Sequence, residues 1–227
     1  PPQELLQSDE SSSKLHTFES TVIQWITQIQ KLIDDELPEN YDLTPMDEVK
    51  YWKKRRQNFE FLDKQLKMEE VGEVLNELEY KSQPFYDQFK IAMDKVAEHL
   101  DLATETDRSL QPLNSYIEQI DTVGSDMEGL MEMFQPVFYL LYLMYTKTRW
   151  YSSPRNICSL LRRVTDFFTV QFANAIDGSS LVNGDPSDSM EHLIHSQKQL
   201  EKFNSAYVDF KEKVMDQEGS SSFTLNN

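Results

Sequence analysis

Apolar residues recur at intervals of three and four along most of this chain, which is the period of an α-helix and not of a strand. Phe18, Val22, Trp25, Ile29 and Leu32 form one stripe, and Val49, Trp52, Phe59, Leu62 and Leu66 form another. Six glycines in 227 residues, set against periodicity of this length, leave little room for a sheet. The expected fold is all-α. It is an elongated antiparallel helical bundle of about six to eight helices, some long and kinked at Pro or Gly.

Residues 1–13 are rich in Pro, Ser and acid and are expected to be disordered, as is the tail 218–227. The bundle domain is placed at 14–217. Its first helix runs from 15 to 36 and is broken by Pro38 and Asn40. Thr44 stands where an N-cap oxygen is wanted, and Pro45 follows at the first helical position, where its missing N–H costs nothing. Asp47 and Glu48 put negative charge on the positive end of the helix dipole. That helix is expected to continue to about Lys81. Glycine inside a helix is unfavourable by about 1 kcal/mol, so Gly72 calls for a bend or a close neighbouring backbone.

Ser82-Gln83-Pro84 restarts the chain into a helix carrying Phe85, Phe89, Met93, Val96, Leu100 and Ala103. Pro112 implies a kink or a fresh start near Asp107–Ser109. Val123-Gly124 reads as a turn, and Ser125 as the cap of the least polar helix in the chain. There Leu130, Met131, Met133, Phe134 and Val137–Tyr145 surround the axis, with Pro136 expected to kink it. A helix apolar all round must be covered all round. Either the bundle covers it, or a partner chain closes the face of Tyr139, Tyr142 and Tyr145, whose rings pack while their hydroxyls stay wet. Ser153 and Pro154 open the next helix, with Gly178 as its C′ residue. Asp185-Pro186-Ser187 starts the last, whose seam is Met190, Leu193, Leu200, Phe203, Tyr207, Phe210 and Val214.

The net charge of −17 argues against nucleic acid, whose phosphates need a basic surface. The acidity is uneven. Residues 49–67 carry seven basic groups against two acidic ones, and residues 137–165 carry five basic groups and no acid. Lys147, Arg149, Arg155, Arg162 and Arg163 either neutralise acidic helices of the same bundle or form a docking surface for an acidic partner or another copy. The longest apolar run has nine residues where a membrane span needs about 20, so no membrane insertion is expected. The single cysteine, Cys158, excludes a disulfide framework and fits a reducing compartment. It reads as a buried small hydrophobe. The chain opens Pro1-Pro2 without an initiating methionine, as a fragment or processed piece would, and no secretory leader is evident.

No constellation for catalysis presents itself. There is no G-x-x-x-x-G-K-[ST] phosphate loop, no G-x-S-x-G elbow and no Cys–His pairing. His192 and His195 share a helix face, but a di-metal bundle site needs two Glu-x-x-His motifs and two further Glu. No catalytic residue, cofactor-binding residue, cofactor or metal ligand is assigned. A metalloenzyme bundle is therefore a weak reading. A spectrin-like rod or free-standing helical adaptor is the other alternative, although the same three-helix pattern does not recur along the chain.

The residues Pro45, Glu48, Val49, Tyr51, Trp52, Arg55, Asn58, Phe59, Leu62, Gln65 and Leu66 stand in one register. That set resembles the P-x-x-E-[IV]-x-[FY]-W-x-x-R-x-x-N-[LF]-x-x-[IL]-x-x-Q-L pattern of the dynein heavy-chain tail, and the E-x-T-V-I-x-W phrasing at Glu19–Trp25 leans towards an axonemal chain. Amphipathicity alone does not require Trp, Arg, Asn and Gln at those places. Leu15–Leu32 resembles the helix before that pattern, and Trp150–Leu161 the aromatic–Tyr–x–x–Pro junction after it. The resemblance implies a non-catalytic stem segment of a minus-end-directed microtubule motor, whose ATPase ring lies outside this chain. It further implies a scaffold for heavy-chain association and for intermediate and light or light-intermediate chains, in the cytoplasmic cytoskeleton and the cilium axoneme. Pro45, Glu48, Trp52, Arg55, Asn58, Gln65 and Leu66 would be its structural residues.

Overall fold

The computed structural model describes residues 2–37, 43–123, 126–176, 178 and 184–223, and of residues 2–12, 123 and 215–223 it describes only the helical backbone. Among the described residues every regular element is an α-helix. They are α1 (Pro2–Ile33), α2 (Pro45–Leu66), α3 (Glu69–Lys81), α4 (Gln83–Val123), α5 (Met127–Lys147), α6 (Pro154–Ala175) and α7 (Pro186–Phe223).

Several boundaries differ from those expected. The backbone is helical from Pro2 and on to Phe223, across stretches whose composition suggests disorder. Pro2 is tolerated in a first turn, and no further proline follows it before Ile33. The long second helix divides, but not at Gly72. The Lys67 and Met68 amides donate three residues back to Lys64 and Gln65, and Met68 is extended at φ −71, ψ 151. Gly72 then sits within α3, and a Cβ there would meet nothing within 4 Å. A close backbone therefore does not account for it.

Conversely, α4 runs on through Pro112 and α5 through Pro136. A proline offers no N–H to the carbonyl four residues back. Here Pro112 and Arg108 are both exposed, as are Pro136 and Glu132, so water can take those carbonyls. Ser125 lies outside the described residues. The cap seen on α5 is Asp126, whose carboxylate accepts from the amides of Glu128 and Gly129. At the end of α6 the C-cap is Ile176, extended at φ −86, ψ 100, so Gly178 does not supply a left-handed C′.

The chain divides into two compact units. One holds α1, α2 from Trp52, α3 and α4 to Thr104. Val22 and Ile29, Phe59 and Leu66, Val71 and Leu78, and Phe89, Ala92 and Val96 form its core. The second holds α2 as far as Tyr51, α4 from Glu105, and α5, α6 and α7. There α5, α6 and α7 pack on one another. The ring of Phe203 is the hub, 5.1 Å from Phe172, 5.6 Å from Phe138, and 5.8 Å from both Phe134 and Phe168. Tilted and edge-on pairs of this kind add about 0.5–1.5 kcal/mol each beyond the area they bury.

Candidate functional site

The start of α2 is fixed by a reciprocal cap. The Asp47 amide donates to Thr44 Oγ1 at 3.3 Å, while the Thr44 amide and hydroxyl both donate to Asp47 Oδ2, at 2.9 and 2.7 Å. The Thr44 amide and then its hydroxyl hold the Asp47 carboxyl below the usual carboxylate range. One residue on, Glu48 is 2% exposed and points inward. Tyr151 donates its hydroxyl to Glu48 Oε1 at 2.7 Å, and Arg163 Nη1 donates to Glu48 Oε2. All three side chains are buried. Burial pushes the Glu48 carboxyl up, and the guanidinium and phenol pull it back. The result is a closed ion pair with no approach for a substrate.

Further along α2, Arg55 turns to the end of α1. Its guanidinium donates to the carbonyls of Leu32, Ile33 and Asp35. Leu32 and Ile33 hold carbonyls that a helix terminus leaves without intrahelical partners, Asp35 lies just beyond, and the cation also suits the negative end of the α1 dipole. The same guanidinium lies 5.1 Å from the centre of the Phe59 ring, which stacks on His99 at 5.5 Å. Trp52 is 1% exposed. Pro45 and Leu66 are buried, Asn58 is half-buried and Gln65 is exposed.

The tyrosine face of α5 is split by the fold. Tyr145 is buried and Tyr142 half-buried, while Tyr139 is 64% exposed, with Leu143 beside it at 36%. Among the described residues the helix apolar all round is thus covered on one side only. Tyr139 and Tyr142 border a groove between α5 and α7 that Phe134, Phe138, Phe210 and Lys213 complete. The basic stretch is split as well. Arg149 pairs with Glu105 at 2.5 Å, and Arg163 is inside against Glu48, so Arg163 belongs to the interior and not to a docking surface. Arg155 is exposed and Arg162 half-buried. Cys158 is half-buried and not fully enclosed. His192 and His195 are exposed, and no three His, Cys, Asp or Glu side chains among the described residues are placed to hold a metal. No helix among the described residues is long and apolar enough to cross a membrane.

The profile of the family described as "Dynein heavy chain, N-terminal region 1" matches residues 15–227. The chain belongs to this family. The tail segment is 23% identical over 215 residues to the "Dynein beta chain, flagellar outer arm" of Chlamydomonas reinhardtii, covering 92% of this chain and 5% of that protein. It is 22% identical over 206 residues to "Dynein axonemal heavy chain 9" of Homo sapiens, covering 89% and 4%. With "Dynein axonemal heavy chain 11" of Sus scrofa it shares 22% over 201 residues, 87% of this chain and 4% of the relative. The segment therefore spans only 4–5% of the length of these relatives.

Within this dynein tail segment, two stretches singled out from sequence meet. Glu48 belongs to the Thr44–Leu66 pattern, and its partner Tyr151 to the aromatic–Tyr–x–x–Pro junction 103 residues away. Periodicity did not reveal that pairing. A period assigns a residue to a face, and Glu48 falls one step from the apolar stripe, where solvent is the usual expectation. The sign that points to it is charge: an acid beside Val49 on one strip, and an arginine beside Val164 on another.

Proposed function

We propose that this segment is a non-catalytic part of a dynein stem, which carries load and docks other subunits while the motor chemistry takes place elsewhere in the parent chain. The proposed partners are intermediate chains, light or light-intermediate chains and a second heavy chain, and the proposed place is the ciliary axoneme, in keeping with relatives named flagellar and axonemal. One observation carries the reading. The polar residues most able to do chemistry, Glu48, Arg163 and Arg55, are spent on internal packing, while an aromatic of α5, Tyr139, is left 64% exposed beside a groove. Exposed aromatics next to an apolar groove are the anatomy of a protein interface.

The test is Tyr139→Glu with Tyr142→Glu in the intact heavy chain, followed by the subunit content of the purified complex. We expect loss of an intermediate or light chain, with helicity retained. A full set of subunits at both low and moderate salt would reject this groove as the docking face. Failure of the unaltered segment to retain any dynein subunit in a pull-down would reject the scaffold reading itself.

A further inference from the structure

The two basic stretches end differently. Between residues 137 and 165 the arginines are engaged, Arg149 with Glu105 and Arg163 with Glu48. On α2, Arg55 is inside, Arg56 pairs with Glu60, and Lys67 pairs with Asp63, so both acids of that stretch are already taken. Lys53, Lys54 and Lys64 are exposed and have no carboxylate within ion-pair reach among the described residues. Between them stands Phe61, 65% exposed, and beyond it Met68, 44% exposed. At the helical repeat, Lys54, Phe61 and Lys64 lie within about 80° of one another, on the side opposite Trp52, Phe59 and Leu66.

A lone exposed Phe is ordinary, and so is a solvated lysine. Together they set cations around an apolar centre, with the adjoining carboxylate of Glu60 held by Arg56, on a chain whose net charge is −17. Three lysines around a phenylalanine are too few for a phosphate-rich strand or a lipid surface, which larger basic clusters hold. From Lys53 to Lys64 the face is about 16 Å long, roughly three turns of a helix. We propose that this face of α2 docks an acidic amphipathic helix from a separate polypeptide. Its carboxylates meet Lys53, Lys54 and Lys64, and an apolar side chain covers Phe61. The inference rests on the scaffold reading above, but uses a different surface from the α5–α7 groove.

The test places a photo-reactive benzoylphenylalanine at Phe61 of the full heavy chain in its assembled complex. Tyr80, 87% exposed, carries the same probe as a control. We expect a cross-link from position 61 to a Glu- and Asp-rich helical segment of another subunit. Its yield should fall about tenfold in K53E/K54E/K64E, the scale of three exposed ion pairs lost together. Should that variant melt early, K53Q/K54Q/K64Q should still lower the yield, by a smaller factor. The proposal is overturned by a yield no higher than that at Tyr80. It is equally overturned by capture of lipid, nucleic acid, the heavy chain itself or a segment without acids, or by a yield indifferent to the lysines. A complete set of subunits with a silent Phe61 would remove this face and leave the scaffold reading standing.

Discussion

At the scale of single residues, the tightest constraint is the buried pair of Glu48 and Arg163. Removing one charge leaves the other enclosed without its counter-ion, which is destabilising by about 3–5 kcal/mol. Glu48→Gln and Arg163→Met should therefore each lower the midpoint of urea unfolding sharply. The double variant Glu48→Leu/Arg163→Met replaces the pair with apolar packing and should recover most of the loss. A double variant as unstable as the sum of the singles would show that the pair has no special coupling. His99 offers a second test. Burial, and then the positive charge of Arg55, depress its pKa, with Lys95 in the same direction and Glu98 opposing. Between that lowered value and the ordinary 6.5, the unfolded chain holds the proton and the folded chain does not. Stability should thus fall as the pH drops through this window and stay lost below it. His99→Gln should flatten the dependence of the melting midpoint on pH between about 5 and 7, where histidine titrates. An unchanged slope would assign it to other groups. Neither role is legible in the sequence, where Glu48 reads as a dipole partner and nothing singles out His99. Both owe their character to partners on another helix, which a one-dimensional pattern cannot name.

At the scale of elements, existence and type were legible, and ends were not. The apolar period placed a helix in each stretch that buries a stripe, because such side chains must be covered whatever the details of the termini, but it joined α2 to α3 and gave none before Lys14 or after Glu218. Breaks depend on smaller energies. Pro112 allowed a kink or a fresh start, and there is no fresh start: α4 runs on through it, as α5 does through Pro136, with the affected residues turned to water. Gly72 was expected to mark a bend, yet the chain breaks at Lys67-Met68, where two amides turn to three-residue bonding. This makes Gly72→Ala informative. The position is helical, and a methyl there meets nothing within 4 Å. The substitution should stabilise by about 0.5–1 kcal/mol, the propensity difference in a helix interior. A thermal melt should show the midpoint raised by a few degrees, and a lowered midpoint would mean that the helix needs the freedom of glycine there. The last helix shows how far a seam can be trusted. Its residues fall at near-heptad spacing, but only Phe203, Phe210 and Val214 are buried, while Met190, Leu193 and Leu200 stay exposed. Spacing selects a face and does not say what lies against it.

At the scale of the whole molecule, what the chain lacks in sequence and what it uses in structure lead to one expectation. A phosphate-binding site is built from backbone amides brought close by glycines at a helix start, with a lysine to meet the phosphates. Here six glycines are scattered through 227 residues, and the start of α2 is closed by Thr44 and Asp47 capping each other. Arg55 and Arg163 are turned inward, to the carbonyls of α1 and to Glu48. A ligand present at about a hundred times its dissociation constant adds about 2.7 kcal/mol to a fold that binds it. In a chain of this size that would raise the melting midpoint by several degrees. Magnesium ATP at millimolar concentration should leave the midpoint of this segment within about a degree of its value in buffer, well short of such a shift. No phosphate should be released beyond the rate in solution. A rise of several degrees, or turnover abolished by a substitution in α2, would replace a mechanical role for these helices with a chemical one.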